Sequence, residues 1–261
     1  MKVSKKKIGI ITGASSGLGE DFAHIISRHY TKLDEIWLIA RRTRRIEELA
    51  ASINIPCRLI TADLSTKEDI EKIKRLLDNE KPDVKLLINS AGFGKLGNIT
   101  DIRQKDLVDM ISVNCIALTQ MVYHTLPFMR KGSILINIAS SAAFLPQPGF
   151  AVYSASKSYV LSFTRALCQE VKHRGIKVTA VCPGPVKTEF FDIAEEGQNI
   201  MWYKKLIMVD SNKVVEKAMK DARENKELSI YGVPMNLFYI ISKIIPHRVI
   251  LKLLRIMNRT K

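Results

Sequence analysis

The pentapeptide Tyr153-Ser154-Ala155-Ser156-Lys157 opens a helical pattern and holds two groups able to handle a proton. Tyr153 and Lys157 are four apart, so on a helix they share one face, one turn separated. A phenol titrates near pH ~10 and is a poor acid–base catalyst at neutrality. A nearby ammonium stabilises the phenolate and lowers that value. Such a phenol could protonate a carbonyl oxygen as hydride arrives, or remove the proton in reverse. Tyr-x-x-x-Lys alone is also a common surface pair. Its company changes the reading, because Ser140 follows the apolar run 133–138 and precedes Tyr153 by thirteen residues. Strand ends on that edge of an open sheet are where ligands bind.

A second candidate site is the stretch TGASSGLG, residues 12–19, after the apolar run Ile8-Gly9-Ile10-Ile11. Glycines there serve a tight turn, or they admit a ligand close to the backbone. The stretch lies between a strand and a helix, and bare amides at a helix N-terminus attract phosphate. Gly13, Gly17 and Gly19 would let a pyrophosphate approach, although their spacing differs from the usual dinucleotide fingerprint G-x-G-x-x-G.

The second strand adds a charge signal. In dinucleotide folds an acid after this strand grips the ribose 2′-hydroxyl, whereas an arginine accommodates a 2′-phosphate. Here IWLIA is followed by Arg41-Arg42-Thr43-Arg44-Arg45, with no Asp or Glu. Cations are disfavoured at a helix start, so a solvated helix end explains them poorly. The pattern points to NADP(H), with Arg41 the main ligand and Arg42 the second.

These groups need a frame that brings strand ends together. Short apolar runs at 8–12, 36–40, 57–61, 84–88, 133–138, 176–182 and 228–231 read as strands. Helical patterns at 18–29, 43–52, 66–80, 104–129, 152–174 and 212–224 lie between them. Continuously apolar strands alternating with helices predict an α/β fold, a doubly wound sheet of seven parallel strands flanked by helices. No internal repeat or linker divides residues 1–261, so a single domain is expected, with an extended C-terminal helical segment over 233–261.

The combination resembles the short-chain dehydrogenase/reductase family. Its T-G-x-x-x-G-x-G is at 12–19, and its N-N-A-G appears as Asn89-Ser90-Ala91-Gly92, with Ser90 in place of the second Asn. Its mid-helix Asn matches Asn114, its catalytic Ser matches Ser140, and its Y-x-x-x-K matches Tyr153 and Lys157. Its Pro-Gly stretch appears as Pro183-Gly184-Pro185-Val186-Lys187-Thr188. Order and spacing agree across 8–190.

The resemblance implies a Rossmann-type domain in which Tyr153 is the general acid/base. Lys157 would lower its pKa and hold the nicotinamide ribose. Ser140 would bind the substrate oxygen, and Asn114 would hold a proton-relaying water. Ser141 is adjacent, but the offset to Tyr153 favours Ser140. The cofactor would contact Gly13, Ser15, Ser16, Gly17, Leu18, Gly19, Arg41, Arg42, Asp63, Leu64, Asn89, Ala91, Gly92, Tyr153, Lys157, Pro183, Gly184, Val186 and Thr188. Asp63 reads equally as an adenine contact or as the N-cap of the next helix.

Two functional classes follow: an NADP(H)-dependent oxidoreductase of carbonyls and alcohols, or a catalytically silent NADP-binding protein on the same fold. The complete set Asn114, Ser140, Tyr153 and Lys157 favours the enzyme, since a silent protein has no chemical need for it. Phe190, Phe191, Trp202 and Tyr203 fall in the irregular segment 184–210, which reads as a lid over a hydrophobic ketone or secondary alcohol, with simple packing as the alternative. A homodimer or homotetramer is expected.

Net charge is +15, from 41 Lys and Arg against 26 Asp and Glu. No helix-turn-helix, RNP or zinc-finger pattern accompanies it, so nucleic acid is not expected as a partner. Cys57, Cys115, Cys168 and Cys182 have no paired spacing, which argues for reduced thiols in the cytoplasm. Neither they nor His24, His29, His124, His173 and His247 have metal-ligand spacing. The apolar run after Lys7 is too short for a signal peptide. In the tail, Pro246 should split an amphipathic pattern into two helices. The tail's apolar stripes would pack over the substrate pocket, meet another subunit, or rest on a membrane surface.

Overall fold

A computed structural model describes residues 5–30, 32–190 and 208–252. Strands β1 (Lys7–Thr12), β2 (Glu35–Ala40), β3 (Cys57–Thr61), β4 (Asp83–Asn89), β5 (Met129–Ile138), β6 (Lys177–Val181) and β7 (Leu228–Ser229) form one sheet. Its order is β3-β2-β1-β4-β5-β6-β7, and every neighbouring pair is parallel. Helices α1 (Gly17–His29), α2 (Thr43–Ser52), α3 (Lys67–Glu80), α4 (Gln104–Ile111), α5 (Leu118–Thr125), α6 (Ala151–Glu170), α7 (Ser211–Arg223) and α8 (Val233–Ile244) accompany it.

Both sheet faces are covered, which is why the strands carry unbroken apolar runs. Alternation along each strand feeds two cores. Ile8 and Ile10 of β1 join Trp37 and Ile39 of β2 on one face. Ile11, Ile36 and Leu38 join α1 and α7 on the other. The chain winds outward from β1 to β3, then returns to place β4 on the other side of β1. The crevice beyond β1 and β4 is the switch point where open sheets bind ligands.

Three expectations need correction. The single helix expected over 104–129 is interrupted by a π-helical turn at Ser112–Ala117, and a 3₁₀ turn at Leu126–Phe128 ends it. Pro127 suits that tight turn and stops the helix, so β5 begins at Met129, earlier than expected. β7 has only two residues in the ladder, not four. The tail divides as expected. α8 ends at Ile244, and residues 247–252 are helical again after Pro246. Most of the expected lid, residues 191–207 with Phe191, Trp202 and Tyr203, lies outside the described residues, as do 253–261.

Candidate active site

A cavity of about 610 Å³ runs along the C-terminal ends of the strands. Its wall collects residues that follow β1, β2, β3, β4, β5 and β6, so groups far apart in the chain meet there. Gly13, Ser15, Ser16, Gly17, Leu18, Arg41, Arg42, Asp63, Leu64, Ala91, Gly92, Pro183, Gly184, Val186 and Thr188 all line it, together with Ser140, Tyr153 and Lys157.

The three glycines of the first loop do different work. Gly13 is left-handed (φ 67°), and a Cβ there would lie 2.7 Å from the Ala91 amide nitrogen. It lets the β1 loop touch the end of β4, where Thr12 Oγ1 accepts from the amides of Ser90 (3.1 Å) and Ala91 (3.2 Å). Gly17 is also left-handed (φ 57°) and faces Thr188. Gly19 is absent from the cavity wall; a Cβ there would collide with the Gly13 carbonyl oxygen, so it is a packing glycine. Ser16 is the N-cap of α1, yet its side chain makes no capping bond. The first amides of α1 thus lack the usual side-chain acceptor and suit an anion.

Asn89 does not line the cavity either. It lies inside the sheet, where its amide donates to Asn137 Oδ1 (2.9 Å), and Asn137 donates in turn to Thr164 (3.0 Å). This polar rung ties β4 and β5 to α6. Ser90, the departure from the family pattern, sits on the cavity wall as well as in the turn.

At the other end of the cradle, Arg42 donates to Ser15 Oγ (3.2 Å) and Ser15 O (3.2 Å), and pairs with Glu189 at 2.8 Å. Arg45 reaches the same carboxylate at 3.3 Å. Glu189 was invisible to sequence reasoning because 147 positions separate it from Arg42. Its carboxyl is held below the usual range chiefly by the Arg42 hydrogen bond.

Asp63 is not a helix cap; Thr66 caps α3 by accepting from the Asp69 amide at 3.3 Å. Asp63 instead binds the amide (2.9 Å) and hydroxyl (2.7 Å) of Ser65. Burial works against its charge, but those bonds and the nearby charges of Arg41 and Lys105 keep the carboxyl below its ordinary value.

Tyr153 is packed between rings. Phe150 stacks on it with centroids 4.2 Å apart, and Phe190 lies at 5.3 Å. Gly94 leaves room for this stack, since a Cβ there would press on Phe150 and Tyr153. The expected lowering of the phenol pKa is not found. Burial pushes it up to about 12, against a lowering hydrogen bond with Ser140. The Lys157 ammonium does not offset this. It lies 5.7 Å from the Tyr153 ring centroid and donates to the Ile138 carbonyl at 2.8 Å. Burial brings Lys157 itself down to about 8.

Asn114 sits in the π-turn, fully buried. Its Oδ1 accepts from the Phe93 amide (3.1 Å), and its two amide hydrogens go to the Phe93 carbonyl (2.9 Å) and Ser156 Oγ (3.0 Å). A Cβ on Gly92 would meet Asn114 Oδ1 at 2.9 Å and Lys157 Nζ at 3.3 Å, so all three are in close contact. Cys115 and Cys182 are buried. Among the described residues no cluster of His, Cys, Asp or Glu could hold a metal.

The sequence matches the short chain dehydrogenase family over residues 7–199. The chain belongs to this family. A short-chain dehydrogenase from Sphingobium yanoikuyae, solved in complex with NADPH, superposes with a TM-score of 0.76 at 25% identity, covering 88% of this chain and 90% of that one. An uncharacterized oxidoreductase of Staphylococcus epidermidis is 32% identical over 196 residues, 74% of this chain and 84% of the relative. Serine 3-dehydrogenase of Agrobacterium fabrum is 32% identical over 187 residues, 69% and 72% of the two chains. The protein is therefore an oxidoreductase of the short-chain dehydrogenase family on a Rossmann-type sheet, a fold that binds a nicotinamide dinucleotide.

Proposed function

We propose that this short-chain dehydrogenase reduces hydrophobic ketones with NADPH, or oxidises the corresponding secondary alcohols with NADP. One observation carries the reading: Tyr153, Ser140 and Lys157 open on the same cavity as the glycine cradle and the arginines. When bound there, the cofactor supplies the hydride. Ser140 orients the substrate oxygen, and Tyr153 gives it a proton. A phenol held at about 12 stays protonated at neutral pH, which is the form reduction requires. The amides of α1 and the Gly17 turn take the pyrophosphate, and Asp63 with Leu64 borders the adenine.

The Glu189 carboxylate marks a place between Arg42 and Arg45 where an anion is held, and a 2′-phosphate suits that place with Arg41 beside it. Lys157 holds the ribose. Both amide hydrogens of Asn114 are engaged, so we assign Asn114 a positioning role, fixing Gly92 and Phe93 against Lys157. Phe93, Val113, Phe150 and Phe190 give the reacting end an apolar wall, which favours a ketone with hydrophobic substituents. Val108, Ile111, Ile116, Tyr123 and Tyr159 are exposed on α4 to α6, and an apolar face of this kind suits a homodimer or homotetramer. The four free cysteines suit the reducing cytoplasm.

Loss of NADPH absorbance, followed with steroid, acyl-chain and aromatic ketones, tests the reading. Turnover of at least one class is expected. Tight NADPH binding without turnover of any ketone would favour the silent dinucleotide-binding protein.

The Lys157 value sets a pH dependence. Its folded pKa is lowered, to about 8, so the ammonium persists on the acid side of that value and is lost above it. The ratio kcat/KM for NADPH reports groups of the free enzyme. It is expected to hold level below about 8 and to decline above it. A level profile to about pH 10, near the ordinary lysine value, would remove this charge from the mechanism.

A further inference from the structure

α8 is apolar on two opposite sides. Its inner side packs on the domain. Met235 lies against Gly184 on the cavity wall, Phe238 and Tyr239 lie on Phe144, and Ser242 is buried. Its outer side carries Val233, Leu237, Ile240 and Ile244, which are 80%, 55%, 52% and 74% exposed. These positions fall at i, i+4, i+7 and i+11, one stripe of a helix, diametrically opposite Ser242. Ile245 and Val249 extend the exposed apolar surface past Pro246.

The charges bordering this stripe are of one sign. Lys243, Arg248 and Lys252 are exposed. From 233 to 261 the sequence has six Lys and Arg and no Asp or Glu. Among the described residues no helix is long and apolar enough to cross a bilayer.

We propose that the outer face of α8, with the basic helix after Pro246, docks the protein on the surface of an anionic phospholipid bilayer. An apolar stripe edged by cations fits a lipid interface, where acyl chains take the stripe and anionic headgroups take the charges. A second copy of this chain fits less well. A two-fold contact pairs a patch with itself, which would bring these cations together with no acid in the segment to neutralise them.

The test uses the full chain, cosedimented with vesicles of phosphatidylcholine alone or mixed with phosphatidylglycerol, at low and high salt. Binding to the mixed vesicles at low salt is expected, with little binding to phosphatidylcholine alone. Leu237→Glu with Ile240→Glu should weaken it by at least about tenfold. Lys243→Glu with Arg248→Glu should do likewise, and high salt should reduce native binding. All four side chains are exposed, so circular dichroism and Tm should match the native protein. Failure of the native protein to bind anionic vesicles overturns the proposal, as does native-like binding by the Leu237/Ile240 variant. If that variant instead splits a dimer seen by light scattering and vesicles are ignored, the face is a subunit interface. None of these readouts depends on the catalytic reading.

Discussion

Tyr153→Phe is expected to lower kcat by roughly 10²–10⁴-fold, the usual contribution of a positioned general acid. The dissociation constant for NADPH should change little. The change removes one oxygen and keeps the ring, which stacks on Phe150 and packs at a tilt against Phe190 without the hydroxyl. The other donors close by are committed or weak: Lys157 also lines the cavity, but its ammonium donates to the Ile138 carbonyl at 2.8 Å. Cys182 is buried beneath the site with its thiol pushed up to about 12, and it does not line the cavity. Ser140 lines it, but a serine hydroxyl is a far weaker acid than a phenol. Stopped-flow reduction of a responsive ketone, paired with a fluorescence titration of NADPH, separates the two effects. Retention of more than about a tenth of the native rate would exclude Tyr153 as the acid.

The second large effect concerns the cofactor. Arg41→Asp should weaken NADPH by roughly 10- to 150-fold, the range of a lost hydrogen bond to a charged group of about 1.5–3 kcal/mol. It should leave NADH within about threefold, because NADH has no 2′-phosphate to meet the new charge. Glu189 provides an internal control. Its carboxylate pairs with Arg42 and Arg45, so Glu189→Gln should remove the competing negative charge from both guanidinium groups and tighten NADPH alone. Titration of native protein and both variants with each cofactor checks the pair. Equal NADPH and NADH affinities in the native protein would refute the arginine reading.

The parts of the site legible in the sequence are those set by local geometry. Tyr153 and Lys157 are one helical turn apart and follow Ser140 by a short offset, and the 12–19 loop joins a strand to a helix, so each was legible through its spacing together with its neighbours. Arg41 and Arg42 were legible because they continue β2 directly. Gly19 and Asn89 stand within motifs, yet packing claims both: one sits against the Gly13 carbonyl, the other against Asn137. A motif does not say which of its members face the ligand. Glu189, Phe93 and Phe150 carry no local signal, because contacts across the sheet's end bring them to the site. The helix over 104–129 looked continuous because its apolar spacing does not reveal the π-turn.

That π-turn also acts as a phase shifter. Six residues wound with i→i+5 bonds absorb about one residue of rotation, close to 100°, relative to an ordinary α-helix. Upstream, α4 exposes Val108 and Ile111; in and beyond the turn, Ile116 and Tyr123 are exposed. Counted at 3.6 residues per turn these two groups fall out of step, and the absorbed rotation brings them back toward a common side. Asn114, inside the same turn, points into the protein. A one-residue deletion here would therefore be read twice, once as a displaced amide beside Gly92 and once as a broken stripe on the outer surface. The spacing of an internal site and the pattern of an external face are written in the same extra residue.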